Sequence, residues 1–242
     1  AHAAPVRCLR WAQQVAGVPN VLISGGWDRA VRYWDTRGPM PPAGPMGALP
    51  LPERCYAMDA QGALLVVATA ERHIVLADLS PGANPCAPSR TLPSPLKMQT
   101  RTVAAYPDGS GFAVGSVEGR VGLQWVDARA AASNFAYKCH REGDRAFAVD
   151  AIAFHPGYGT FATAGSDGGL VIWDKDSKQR LDAFPTTSNS TPIPAIAFSR
   201  DGALLAYAVS YDWSRGHEHY QPASKNTVMV HKCQDSEVKP RG

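Results

Sequence analysis

At 242 residues and 45% hydrophobic, the chain can build a sizeable core, and 22 Gly with 20 Pro disfavour long helices and suit short strands joined by turns. A net charge of +3 excludes reading nucleic-acid binding from the total, so such a role would need a local basic patch. Five scattered cysteines (Cys8, Cys55, Cys86, Cys139, Cys233) include no pair at two-residue spacing, which excludes zinc-ribbon and dithiol motifs and fits reduced, intracellular thiols.

The first marker in chain order is Gly25-Gly-Trp-Asp-Arg-Ala-Val-Arg-Tyr-Trp-Asp35, with the turn carboxylate Asp28 six residues before Trp34. The same phase returns at Glu71 before Ala77-Asp78, at Glu118 before Gln124, and at Asp167 before Trp173-Asp174. These carboxylates lie 43, 47 and 49 residues apart, near the period of a propeller blade. Alternating segments ending in a Gly turn open the later units: Tyr56 to Gly62, Val103 to Gly109, Val149 to Gly159 and Ile193 to Gly202. That pattern reads as strand, turn, strand. The last unit continues with Ala203 to Ser210, a long insertion, and Thr227 to Lys232.

Five blades of four strands each are therefore predicted in one all-β domain, over approximately 1–51, 52–98, 99–145, 146–191 and 192–242. Closure of such rings with seven blades implies two further N-terminal blades outside this chain. The strongest apolar run, Ala63 to Ala70, is strand-sized, and no basic-then-apolar leader opens the chain. The expectation is a soluble cytoplasmic or nuclear protein without membrane insertion.

Two units carry a complete hydrogen-bonding set for a buried indole: His2, Ser24, Asp28, Trp34 and His140, Thr163, Asp167, Trp173. A buried Trp N–H needs an acceptor, and a Ser or Thr supported by His and Asp supplies one. Their matched spacing makes them a structural brace rather than a catalytic set.

Departures from the repeat are where function is sought. Counting back from the end of each opening strand finds aliphatic Val6, Val149 and Ile193 but Arg54 and Arg101 in the other two units, entering side by side at equal height. Arg120 follows its turn carboxylate on the same face. Three converging guanidiniums suit a carboxylate-bearing peptide; pairing of each Arg with an acid such as Glu53 or Glu118 is the structural alternative. Aromatic and basic residues at Tyr137, Lys138, Trp173, Lys175, Lys178 and Arg180 form a candidate RNA or partner surface. His217 and His219 lack a third ligand, so no metal site is expected, and no cofactor is called for. No nucleophile–base pair, metal-ligand set or phosphate-cradling loop argues for an enzyme.

Several segments resemble the WD-repeat poly(A) mRNA export factors of the Rae-one/Gle-two family: Gly26-Trp-Asp-Arg-Ala-Val-Arg-Tyr-Trp-Asp-Thr-Arg37, Leu51-Pro-Glu-Arg-Cys-Tyr56, Val67-Ala-Thr-Ala-Glu-Arg72, Gly115-Ser-Val-Glu-Gly-Arg-Val121, Lys138-Cys-His-Arg141 and Ser210-Tyr-Asp-Trp-Ser-Arg-Gly-His-Glu218. The resemblance covers nearly the whole chain and matches that family's third to seventh blades. It implies a non-enzymatic adaptor at the nuclear pore and nuclear envelope, also present in the cytoplasm. Its GLFG-repeat nucleoporin partner carries a GLEBS motif whose paired glutamates meet arginines matching Arg101 and Arg120. It also implies single-stranded RNA binding in the assembled complex, and docking of a viral matrix protein near positions matching Tyr137, Trp173, Lys178 and Arg180. Here Tyr replaces the family's Phe at 137 and the segment between Arg141 and Val149 is shorter. The related mitotic-checkpoint propeller shares the Glu-Gly-Arg and Lys-Cys-His-Arg segments, which leaves checkpoint kinases and tubulin-associated factors as alternative partners. Trp34 to Arg37, Leu51 to Arg54 and Tyr211 to Glu218 look like the export factors instead.

Overall fold

The computed structural model describes residues 1–38, 44–187, 190–223 and 225–241. The chain divides into two compact units, residues 1–114 with 122–135, and 115–121 with 136–242.

Strands follow one another as simple meanders. The first sheet runs β1 (Val6–Val15), β2 (Val18–Gly26), β3 (Ala30–Asp35), β4 (Gly47–Pro50), and the second β5 (Cys55–Gln61), β6 (Leu64–Thr69), β7 (His73–Asp78), β8 (Arg90–Pro93). The third runs β9 (Thr100–Ala105), β10 (Gly111–Ser116), β11 (Arg120–Trp125), β12 (Phe135–Lys138), and supplies residues to both units. A short hairpin, β13 (Arg141–Glu142) with β14 (Arg145–Ala146), precedes the fourth sheet of β15 (Val149–Phe154), β16 (Phe161–Gly165), β17 (Leu170–Asp174) and β18 (Gln179–Phe184). The fifth contains β19 (Ala195–Phe198), β20 (Leu204–Val209) and β21 (Thr227–Lys232).

Inner strands are apolar on both sides because each sheet is packed on both faces. All six residues of β6 are buried, and so are all six of β10. In the first unit, Val21, Ile23, Tyr33, Leu49, Met58 and Leu65 share one core cluster, and Val66, Ile74, Phe112 and Val114 belong to a second. In the second unit, Ala162, Ile172, Leu181, Ile193 and Leu205 pack together with Val238. The predicted glycine turns Gly62, Gly109, Gly159 and Gly202 all have positive φ, from +56° to +74°, a conformation that costs a residue with a Cβ about 1 kcal/mol or more.

The fifth sheet differs from expectation: among the described residues it has three strands, not four. After Lys232 the chain turns into the short helix α1 (Asp235–Val238), started by a reciprocal Gln234–Glu237 capping box. That tail is tied to residues of the fourth repeat. Thr160 Oγ1 donates to the Val238 carbonyl at 2.7 Å, Arg241 to the Leu181 carbonyl at 2.6 Å, and Tyr158 Oη to Asp235 at 3.0 Å. The residues that could have formed a fourth strand are thus held elsewhere.

Candidate functional site

Both indole braces are assembled. In the first unit Trp34 Nε1 donates to Ser24 Oγ (2.7 Å), Ser24 Oγ meets His2 Nε2 (2.7 Å), and His2 Nδ1 meets Asp28 (2.7 Å). In the second, Trp173 Nε1 donates to Thr163 Oγ1 (2.9 Å), which meets His140 Nε2 (2.9 Å), and His140 Nδ1 meets Asp167 (2.9 Å). An unbroken donor chain requires the proton on each His Nδ1. Burial works against a charge on Asp28, but hydrogen bonds from Arg32 and His2 outweigh it and hold the carboxyl well below its usual range. Asp167 is likewise desolvated, and its bond to His140 still leaves it lowered. The first set joins residues of one predicted repeat, whereas the second joins His140, from the segment after β12, to Thr163, Asp167 and Trp173 of the fourth sheet.

The register corrects the phase assigned to the arginines. Val6 pairs with Gly26, Cys55 with Thr69 and Val149 with Gly165, so the residue in phase with the two valines is buried Cys55, and Arg54 stands one earlier. In the same way the carbonyls of Pro5, Arg54 and Ala148 accept equivalent bonds from Trp27, Ala70 and Ser166. β9 begins at buried Thr100, which places Arg101 one position after that phase, so the two arginines do not enter at equal height. The opening strands run different distances past the in-phase residue, nine residues in β1, six in β5 and five in β9 and β15, so a count taken back from the turn does not hold the phase.

The first unit holds Arg54 and Arg101, and β5 packs beside β9 within it. Arg54 is half exposed, lies 3.6 Å from Glu53, and its guanidinium sits over the Trp27 ring, 6.0 Å from the centroid. Arg29 closes on the same Glu53 at 2.7 Å. The Arg54 backbone N–H, then the charges of Arg29 and Arg54, keep the Glu53 carboxyl below its ordinary value. Trp27 is 42% exposed at a position where two sister repeats have Ala70 and Ser166. The sequence reading missed Trp27 and Arg29, although the same search for out-of-phase residues would have found Trp27. Arg120 belongs to the second unit and lies 3.6 Å from Glu118, the acid named as its structural partner.

All six residues of the candidate basic surface belong to the second unit. Tyr137 packs its ring on Trp173, centroids 4.6 Å apart, and Arg180 lies across the β17–β18 ladder from Trp173. Lys178 occupies the turn with φ +59°, and Lys175 Nζ bonds Asp176 at 2.7 Å. Lys138, next along β12 and exposed, points away from the Tyr137 side. One face of Trp173 is therefore occupied by Tyr137, and Lys138, Lys178 and Arg180 are exposed.

The long insertion folds on itself: Trp213 stacks on Tyr220 at 5.1 Å, and Tyr211 Oη donates to the Gly216 carbonyl at 3.0 Å. Between the insertion and the β13–β14 hairpin lies a cleft of about 890 Å³ whose lining includes Arg145, Ser166, Arg215 and Lys225. Among the described residues no three His, Cys, Asp or Glu side chains converge as a metal site would require, and no helix is long and apolar enough to cross a membrane.

The WD domain, G-beta repeat family model matches residues 1–35 and 134–174, the two stretches that hold the complete braces. The β-propeller domain of Cps50 (Swd1) from Myceliophteria thermophila superposes with a TM-score of 0.68 at 16% identity, covering 86% of this chain and 63% of that one. The fold is thus a WD-repeat β-propeller. Over its whole length the chain is 44% identical to the Poly(A)+ RNA export protein of Schizosaccharomyces pombe, of which it covers 67%, and 43% identical to mRNA export factor GLE2 of Chaetomium thermophilum, of which it covers 66%. Over 99% of its length it is 42% identical to Mitotic checkpoint protein BUB3.1 of Arabidopsis thaliana, covering 69% of it. The chain spans about two thirds of the length of these relatives, and at this level of identity and coverage it belongs to the WD-repeat family of mRNA export factors.

Proposed function

We propose that this chain serves as a non-enzymatic adaptor in mRNA export, acting in the nucleus and at the nuclear pore and also present in the cytoplasm. Its partner is the acidic GLEBS segment of a GLFG-repeat nucleoporin, and the assembled complex holds single-stranded RNA. The observation that carries this reading is the exposed Trp27–Arg54 pair beside Arg29, an aromatic and cationic patch where sister repeats are small. The family resemblance assigns the paired glutamates to Arg101 and Arg120, and each charge-assisted contact contributes about 1.5–3 kcal/mol. Lys178 and Arg180 are the cations offered to RNA.

Calorimetric titration with a GLEBS peptide tests the docking. Double reversal by Arg101→Glu and Arg120→Glu should weaken binding by at least about a hundredfold. Equal affinity in wild type and variant would remove the arginines from the site, and no binding by the folded wild type would refute docking by this chain. A second reading, a spindle-checkpoint adaptor for GLEBS motifs of checkpoint kinases, draws on the 42% identity to a mitotic checkpoint protein. Tighter binding of a kinase GLEBS peptide than of the nucleoporin peptide would favour it.

A further inference from the structure

We propose that Cys8 and Cys55 are a peroxide-sensitive modification site, closing into a disulfide that links the first strand of the first sheet to the first strand of the second. Both residues lie in the first unit, where β1 packs beside β5. The ladder register shifts between Val6 and Cys8 and again between Cys55 and Ala57, so a bulge re-aims the chain at each cysteine. Cys8 stands in phase with Ala57 and Ala151, and Cys55 with Val6 and Val149. The pair thus arises from two departures from the repeat that meet.

Gly25 makes the meeting feasible. It is the cross-strand partner of Cys8, and a Cβ on it would lie 2.7 Å from Cys55 Sγ. With no side chain there, the Cys55 thiol reaches over the first sheet onto Gly25, the residue directly across the ladder from Cys8. Cys8 Sγ also lies 3.8 Å from the Tyr56 carbonyl, next in chain to Cys55. The two sulfurs differ in access: Cys55 is fully buried, whereas Cys8 is part-exposed between the exposed side chains of Arg7 and Arg10. Its neighbour Cys55 first, then the charges of Arg7 and Arg10, work against desolvation and lower the Cys8 thiol from its ordinary value. By contrast, burial pushes Cys139 up to about 12. Cys8 is therefore the attacking group and Cys55 the resolving one.

The chemistry balances with a hydroperoxide as oxidant. Cys8 thiolate attacks the peroxide oxygen, the O–O bond breaks, and sulfenic acid forms as the leaving oxygen takes a proton and departs as water. Cys55 sulfur then attacks the sulfenic sulfur, the S–O bond breaks, and a second water leaves with the Cys55 proton. Two thiols are oxidised, one peroxide is reduced, and a dithiol reductant reverses the step.

The test treats the folded chain with hydrogen peroxide, then quenches and alkylates it under denaturing conditions. Alkylatable thiols should fall from five to three, with loss of two hydrogens in intact mass and a Cys8–Cys55 linked peptide that dithiothreitol releases. Cys8→Ala and Cys55→Val carry residues that sister repeats already use at these positions, so both should fold, and neither should form the link. Oxidised wild type should melt several degrees above its reduced form, as expected when a long loop is closed. Five thiols still alkylatable, sulfinic acid at Cys8 with Cys55 free, or a link between other cysteines would each overturn the proposal.

Discussion

Replacing Thr163 by Val isolates the brace of the fourth repeat without changing side-chain shape. The hydroxyl at 163 accepts from Trp173 Nε1 and faces His140 Nε2, both at 2.9 Å. His140 is pinned by Asp167 at 2.9 Å and is buried, so its ring cannot turn to another partner. Two polar atoms lose their partner at about 1–3 kcal/mol each, and the new methyl returns about 1 kcal/mol, which leaves a net loss of roughly 1–5 kcal/mol. Urea denaturation followed by tryptophan fluorescence measures it. Trp173→Phe removes the orphaned indole donor, so Thr163→Val should cost about 1–2 kcal/mol less in that background. A single-variant cost below about 0.5 kcal/mol, or full additivity, would refute the idea that the hydroxyl holds the indole and imidazole together.

Other perturbations probe separate parts of the molecule. Gly119 has φ +64°, and a Cβ there would meet the carbonyls of Cys139, His140 and Phe147 at 2.6–2.9 Å, so Gly119→Ala should lose about 2–4 kcal/mol by thermal or urea unfolding. Asp28 and Asp167 have folded-state values below the ordinary 3.8, so the unfolded chain binds more protons in acid. Their contribution should be complete above about pH 4 and lost as pH falls below it, and Asp28→Asn with Asp167→Asn should flatten the acid limb of a Tm–pH profile. Trp27→Ala should weaken GLEBS-peptide binding about tenfold or more in calorimetry, because an indole and its seat for Arg54 are lost. Its Tm should fall only modestly, since Trp27 is 42% exposed.

The braces were legible in the sequence because each closes over one repeat at a fixed spacing, His to Asp in 26 or 27 residues, and the Gly turns were legible because their positive φ restricts residue choice. All-β architecture and the phase of the carboxylates followed from that local grammar. Height within a strand did not, since the opening strands run nine, six and five residues past the in-phase Val6, Cys55 and Val149, so counting back from the turn does not recover the ladder register. Among the described residues the last sheet has three strands, and the placement of residues 235–241 was equally hidden, because the tail is held by Thr160 and the Leu181 carbonyl of the fourth repeat, contacts that its own composition does not announce. Cys8 and Cys55 looked like unrelated thiols 47 residues apart. Sequence alone determined the repeat and its internal bonds, which depend on short-range spacing, whereas the approach of Cys55 to Gly25, the Trp27–Arg54 contact and the placement of the tail were decided by packing between repeats, where distance in space is independent of distance along the chain.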